Sequence, residues 1–362
     1  MSISESDAGE PMEDTRRQNF LVRHMRRVVL AALLAGAGVA TMVAPLQAGG
    51  VGRCTPARPS QPGLTEDTLP FGGLDRHYEL SIPRRYGGRR PAPLVVNLHG
   101  FGGTGPAQDH LTDMPAQAGK RGYVVVAPDG GPLKIPLNIV PGAVNVGLYE
   151  GMPFWNIFSP GVVDFGPPHG QNLGIDSSAV GADDVGFVAQ LLDTLSSQLC
   201  LDANRIYVTG MSNGAGMATT LGCNLAGRLA AIAPVSGVNL TGVCPGNKPV
   251  SVLAIHGDAD DTVPYGGNGL LGLHFGNPSV PERMAAWATR DGCKTKPTTK
   301  HPHAGLTVER WHGCSSGTDV QLYTIAGWGH VWPRAKSAAD PGRIDATRVV
   351  LKFFNSHRRR GS

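Results

Sequence analysis

Short, nearly continuous apolar runs recur along this chain, each separated from the next by a stretch of helical periodicity. Residues 93–98 (PLVVNL), 123–128 (YVVVAP), 205–209 (RIYVT), 230–235 (AAIAPV), 250–255 (VSVLAI) and 320–325 (VQLYTI) are too short for helices and lack the alternation of strands with one wet face. They fit parallel strands buried on both faces. Residues 76–82 alternate and predict an entry strand. Between these runs, 183–200 carries Val185, Val188, Leu191, Leu192 and Leu195 at helical spacing, and 213–225, 281–291 and 345–357 also read as helices. Alternation of this kind predicts an α/β fold, a mostly parallel sheet with helices on both faces. Sites in such sheets form beyond the C-terminal ends of the strands.

Two regions depart from the pattern. Residues 49–73 form a Pro/Gly-rich leader, and 130–180 have many Gly and Pro and no clear period. A loop that long is unusual unless it is functional or disordered, and Phe154, Trp155 and Phe158 make it too apolar for a free linker. It is expected to be an insertion over the strand ends and part of a substrate cleft. A single catalytic domain over 74–358 contains it.

The first 48 residues are expected to lie outside that domain. Arg23, Arg26 and Arg27 precede an apolar run over 28–43, and small residues lead to Ala48. That arrangement reads as a secretory signal peptide. A membrane span would need about 20 apolar residues; this run is shorter, contains Gly36 and Gly38, and breaks at Pro45. The acidic stretch from Glu5 to Asp14 is unusual ahead of a signal peptide, and Met25 offers a more ordinary start. The expected destination is secreted or cell-envelope, with no stable membrane span after processing.

Composition narrows the reading further. Hydrophobic residues make up 41% of 362, so a substantial core is available, and 50 Gly with 29 Pro imply many turns. Lys and Arg number 32 against 28 Asp and Glu, and this thinly spread balance of +4 gives no basic face for nucleic acid. Six cysteines follow the expected signal peptide, and no C-x-x-C pair suggests zinc. In an oxidising compartment they imply disulfides. Fifteen pairings are possible; proximity favours Cys223–Cys244 and Cys293–Cys314, leaving Cys54–Cys200.

The chemistry concentrates in a few short motifs. G-M-S-N-G at 210–214 sits directly between a predicted strand and a predicted helix, the setting of a nucleophile elbow with Ser212 at its tip. A serine nucleophile needs a base, and the base an orienting carboxylate, in the chain order Ser, acid, His for this fold. The strand 250–255 runs into H-G-D-A-D-D-T-V-P-Y, where Asp258, Asp260 and Asp261 are candidates and the D-x-x-V-P-Y spacing favours Asp260. For two of the three, an ordinary solvated turn carboxylate is the right description. The same cluster lacks the spaced oxygen ligands of a calcium loop. Of the later histidines, His330 in G-W-G-H-V-W-P follows a strand in a Gly-rich loop and is the expected base. L-H-G-F-G-G at 98–103 resembles an oxyanion turn, which makes the backbone N–H groups of Phe101 and Asn213 the expected donors. Trp155, Trp328 and Trp332 are candidates for the substrate pocket, with plain core aromatics as the alternative. No metal, dinucleotide or phosphate loop is indicated, so no cofactor is expected.

In that order, N-L-H-G-F-G-G, D-D-V-G-F (183–187), G-M-S-N-G-A-G-M, H-G-D-A-D-D-T-V-P-Y and G-W-G-H-V-W-P resemble the secreted poly(3-hydroxybutyrate) depolymerase and feruloyl esterase group of the α/β-hydrolases, from about residue 70 to 335. The resemblance implies an α/β-hydrolase fold and a serine esterase acting on a small or oligomeric ester. It places Ser212, Asp260 and His330 at the triad positions. Asp183 and Asp184 are expected to fix a helix start rather than perform chemistry. An extracellular acyltransferase is the alternative, and a non-catalytic binding protein a more remote one.

Overall fold

The computed structural model describes residues 53–134, 151–158, 162–164, 172–176, 178, 180–242, 248–269, 277–294, 296–334 and 344–359. The signal-peptide reading of 1–48 and most of 130–180 therefore fall outside the described residues. Among these residues ten strands share one sheet: β1 (Gly63–Phe71), β2 (Leu74–Ile82), β3 (Ala92–Leu98), β4 (Val124–Pro128), β5 (Leu201–Met211), β6 (Ala231–Val235), β7 (Ser251–Gly257), β8 (Thr298–His303), β9 (Leu306–Trp311) and β10 (Val320–Ile325). Their order is β1-β2-β4-β3-β5-β6-β7-β10-β9-β8. The strands from β4 to β10 in that order are mutually parallel, and an antiparallel hairpin closes each edge.

Period-2 geometry explains the uninterrupted apolar runs. Leu94, Val96 and Leu98 of β3 enter one core, and Val95 between them enters the other. The first core is covered by α3 (Asp184–Gln198), α4 (Asn213–Asn224) and α5 (Val280–Arg290), through residues such as Leu191, Met217 and Trp287. The second is covered by α2 (Met114–Gly119) and α6 (Ala346–Asn355), through Met114, Val350 and Phe354. Each large side chain buried in this way contributes about 1.5–3 kcal/mol.

Three parts of the fold were not visible in the apolar pattern. The leader contains β1, which is mostly exposed and pairs with β2 through a two-residue Gly72–Gly73 turn with φ of 60° and 78°. Both central residues of such a turn need positive φ, which glycine supplies without strain. Thr104 caps α1 (Gly105–Thr112), which leads into α2. The β8–β9 hairpin escapes detection because all of β8 is exposed.

Disulfides join Cys293 to Cys314, as proximity favoured, and Cys54 to Cys200, the pair left by that choice. The expected Cys223–Cys244 bond involves Cys244, which lies outside the described residues. On the chain-entropy account, closing the 21-residue separation stabilises by about 3 kcal/mol and the 146-residue one by about 5.

A buried acid pair underlies α1. Asp109 accepts from Asn97 Nδ2 at 2.6 Å, and the Glu79 carboxyl of β2 interacts with it. That contact is a hydrogen bond only while one of the two acids holds a proton. Burial, reinforced by the Glu79 charge and opposed by the Asn97 bond, pushes Asp109 up to about 8; burial raises Glu79 as well. A carboxyl raised above its unfolded value of about 3.9 stabilises fully below that pH and loses its contribution as pH rises through its folded value. Thermal stability is therefore expected to decline from about pH 4 to about pH 8. Asp109→Asn, whose amide donates to Glu79 and still accepts from Asn97, is expected to flatten the decline. Equal slopes in melting curves of the two proteins would show that the pair does not share a proton.

Candidate active site

Four of the parallel strands, β3, β5, β7 and β10, end along one edge of the sheet, and each is followed by one of the motifs singled out above. At the end of β5 the chain turns into α4 through Ser212, whose φ of 58° and ψ of −122° are rarely adopted by a side-chain-bearing residue. The flanking glycines make that turn possible. A Cβ at Gly210 would lie 2.5 Å from the Gly214 carbonyl oxygen, and one at Gly214 would lie 2.4 Å from the carbonyl oxygens of both Leu98 and His99. The Ser212 hydroxyl does not cap α4, so the helix leaves it available for other chemistry. The Ser212 carbonyl instead accepts from Ala215 and Gly216 at 2.9 and 3.0 Å.

Beyond β7, the three candidate carboxylates have three different surroundings. Asp258 accepts the Gly327 N–H at 2.7 Å and so ties down the loop that carries His330. Asp261 is exposed. Asp260 is buried and accepts from His330 Nδ1 at 2.9 Å. Its other oxygen accepts the N–H groups of Thr262 and Val263 at 3.0 and 2.9 Å. A further donor is His256 on β7, whose Nε2 lies 3.3 Å from Asp260 Oδ2 and 2.9 Å from the Val263 carbonyl. Burial acts to raise the Asp260 pKa, but the bonds from His256, His330 and Val263 outweigh it and hold the carboxyl well below the usual carboxylate range.

Sequence reasoning overlooked His256, although a polar residue at the inward end of an otherwise apolar strand was a readable signal. Of the other histidines after Asp260, His301, His303 and His312 are exposed, and His357 packs against α6. His274 lies outside the described residues.

The turn after β3 sits against the elbow, and a Cβ at Gly100 would lie 3.5 Å from the Cβ of Ser212. His99 is a second overlooked residue. Its Nδ1 bonds the Gly100 carbonyl at 2.7 Å and its Nε2 accepts the Gly130 N–H at 2.8 Å, which fixes a neutral imidazole donating from Nδ1. Burial pushes its pKa down, in keeping with that neutral form. Phe101 is partly exposed beside Phe154, their rings 5.9 Å apart and edge-on. Asn213 opens α4, where first-turn N–H groups have no carbonyl within the helix.

The tryptophan expectation needs correction. Trp155 is completely buried, with its indole N–H donating to the His99 carbonyl at 3.0 Å. Trp332 is buried too, and donates to Thr347 Oγ1 at 3.0 Å beneath α6. Neither can line a cleft open to substrate. Trp328 is half-buried, and its carbonyl accepts the Ala259 N–H at 3.1 Å, joining the His330 loop to the Asp260 turn. The acidic pair ahead of α3 also divides in two. Asp183 caps the helix by accepting the Gly186 N–H at 2.9 Å. Asp184 instead bonds Arg76 at 2.6 Å, the Asn156 N–H at 2.7 Å and the Gly131 N–H at 3.3 Å, and so anchors two described parts of the insertion.

A family model described as esterase PHB depolymerase matches residues 172–262, a span that includes Ser212 and Asp260 and stops before His330. The chain is 28% identical over 261 residues to feruloyl esterase B of Piromyces equi, which covers 69% of this chain and 42% of that protein. It thus spans less than half the length of that relative. It is 27% identical over 292 residues to feruloyl esterase D of Neurospora crassa, covering 80% of this chain and 84% of the relative. Among solved structures it is similar to an acetyl xylan esterase from Aspergillus awamori, with 15% identity, a TM-score of 0.51, and coverage of 81% of this chain and 99% of that one. The fold is that of the α/β-hydrolases.

Proposed function

We propose that this chain, a carboxylic ester hydrolase of the α/β-hydrolase fold, is exported and cleaves feruloyl-, acetyl- or 3-hydroxybutyryl-type esters through an acyl-enzyme on Ser212. The observation that carries this reading is the Asp260–His330 hydrogen bond of 2.9 Å on the same sheet edge as the strained Ser212 elbow. In the proposed reaction His330 Nε2 takes the Ser212 proton as Oγ attacks the ester carbonyl. Asp260 holds the ring so that Nδ1 keeps its proton and Nε2 presents a lone pair. The negative charge on the carbonyl oxygen is met by the N–H groups of Phe101 and Asn213 and by the positive end of α4. The alcohol leaves with the proton from His330. Water, deprotonated by the same ring, then releases the acid and restores Ser212.

The feruloyl and acetylxylan esterase names of the relatives and the PHB depolymerase description of the family model support the acyl range. The Cys54–Cys200 and Cys293–Cys314 disulfides support an oxidising destination. Short p-nitrophenyl esters, methyl ferulate, acetylated xylan and 3-hydroxybutyrate oligomers form the test panel. At least one is expected to be hydrolysed, and an alkyl fluorophosphonate is expected to abolish that activity while adding one label, on Ser212. Full activity in protein without a label on Ser212 would overturn the serine mechanism. Faster capture of the acyl group by an added sugar than by water would replace hydrolysis with transfer.

A further inference from the structure

The geometry points to Trp155 as a positioning residue, a strut that sets the spacing between the turn after β3 and the nucleophile elbow. This inference rests on the serine mechanism proposed above. Trp155 bonds to both turns. Its peptide is bracketed by the side chain of Asn213, which accepts the Trp155 N–H at 2.7 Å and donates to the Trp155 carbonyl at 3.0 Å. Its indole N–H holds the His99 carbonyl at 3.0 Å. One residue therefore ties the first position of α4 to the start of the turn over Ser212, with all three bonds buried.

Neighbouring contacts reinforce the strut. The Pro153 carbonyl accepts the Gly102 N–H at 2.9 Å, so the segment before Trp155 holds the far side of the same turn. The Gly100 carbonyl is held from two directions, by Gly103 N–H at 3.0 Å and His99 Nδ1 at 2.7 Å. A trans peptide directs its N–H opposite its carbonyl. Fixing the Gly100 carbonyl therefore fixes the direction of the Phe101 N–H. The two groups expected to meet the developing oxyanion lie on the two turns that Trp155 joins. Donors of this kind act only when they are held in place before the reaction begins, and a misplacement of about 1 Å costs on the order of 100-fold.

Trp155→Phe removes the indole donor and keeps an aromatic ring in the core. Its kcat is expected to fall by about 10- to 100-fold, with KM changed less than about twofold. Affinity for an alkylboronic acid, whose boron becomes tetrahedral when the serine oxygen adds to it, is expected to weaken by the same factor as kcat/KM. Asn213→Ala cuts the other end of the strut and keeps the backbone N–H. It is expected to behave alike, with the double variant losing less than the product of the two single losses. If Trp155→Phe does not fold, Asn213→Ala is read by the same two measurements.

Unchanged kcat, or a loss of kcat without weaker boronate binding, would reduce Trp155 to core packing. That result in an enzyme that Ser212→Ala inactivates overturns the strut alone. Full activity of Ser212→Ala would instead overturn the serine mechanism on which the strut rests.

Discussion

Replacing Ser212 with alanine is expected to lower kcat/KM for a soluble ester by about 10⁴- to 10⁶-fold, the largest effect of any single substitution in this chain. In the proposed mechanism the hydroxyl is the group that becomes covalently attached to the acyl fragment, so no neighbouring side chain substitutes for it. What remains should be catalysis by the oxyanion donors and by substrate positioning alone. Fold stability should change by less than about 0.5 kcal/mol, because Ser212 does not cap α4 and alanine at φ 58° relieves none of the backbone strain. Steady-state hydrolysis of a p-nitrophenyl ester alongside a thermal melt separates the two effects. Activity above about one hundredth of wild type, in protein shown to be free of wild-type carry-over, would remove Ser212 from the mechanism.

The parts of this fold that could be read from the sequence are those where burial dictates composition. β3, β4, β6 and β7 are buried along their whole length, so both faces demand apolar side chains and the runs are nearly unbroken, with Asn97 and His256 among the exceptions. β1 and β8 lie at the two outer edges, are largely exposed and read as loop. The elbow was legible because Gly210 and Gly214 are imposed by close backbone approach, which leaves no room for another residue.

Trp155 was not legible in the same way. An aromatic residue in a loop without period lines a cleft or fills a core depending on where the loop lands, and this loop lands on Asn213 and His99. Asp184 gave a similar half-signal. Its position at a helix start suggested a cap, but Asp183 fills that role, and the buried Arg76 turns Asp184 into an anchor for the insertion. Choosing among Asp258, Asp260 and Asp261 depends on which carboxylate turns towards the loop after β10, a tertiary fact with only a spacing preference to foreshadow it.

That choice sets the second large effect. Asp260→Asn is expected to lower kcat/KM by about 10³- to 10⁴-fold, the size associated with losing this carboxylate in Ser-His-Asp enzymes. Both Asp260 oxygens are occupied, Oδ1 by two backbone N–H groups and Oδ2 by His330 and His256. An asparagine placed there must keep its carbonyl oxygen towards Thr262 and Val263, which turns its NH₂ towards His330 Nδ1. Donor then meets donor unless His330 moves its proton to Nε2, and that tautomer has no lone pair to take the Ser212 proton. The loss should therefore fall mainly on kcat. Asp261→Asn, at an exposed site, should stay within about twofold of wild type. Stability gives an independent check with a definite sign. Because the folded pKa of Asp260 is depressed, its contribution is present above the unfolded value of about 3.9 and is lost as pH falls through the folded value. Below about pH 4, wild type should lose stability more steeply than Asp260→Asn. An Asp260→Asn enzyme within about tenfold of wild-type kcat/KM, with Asp258→Asn or Asp261→Asn inactive instead, would assign the orienting carboxylate to another residue of the turn.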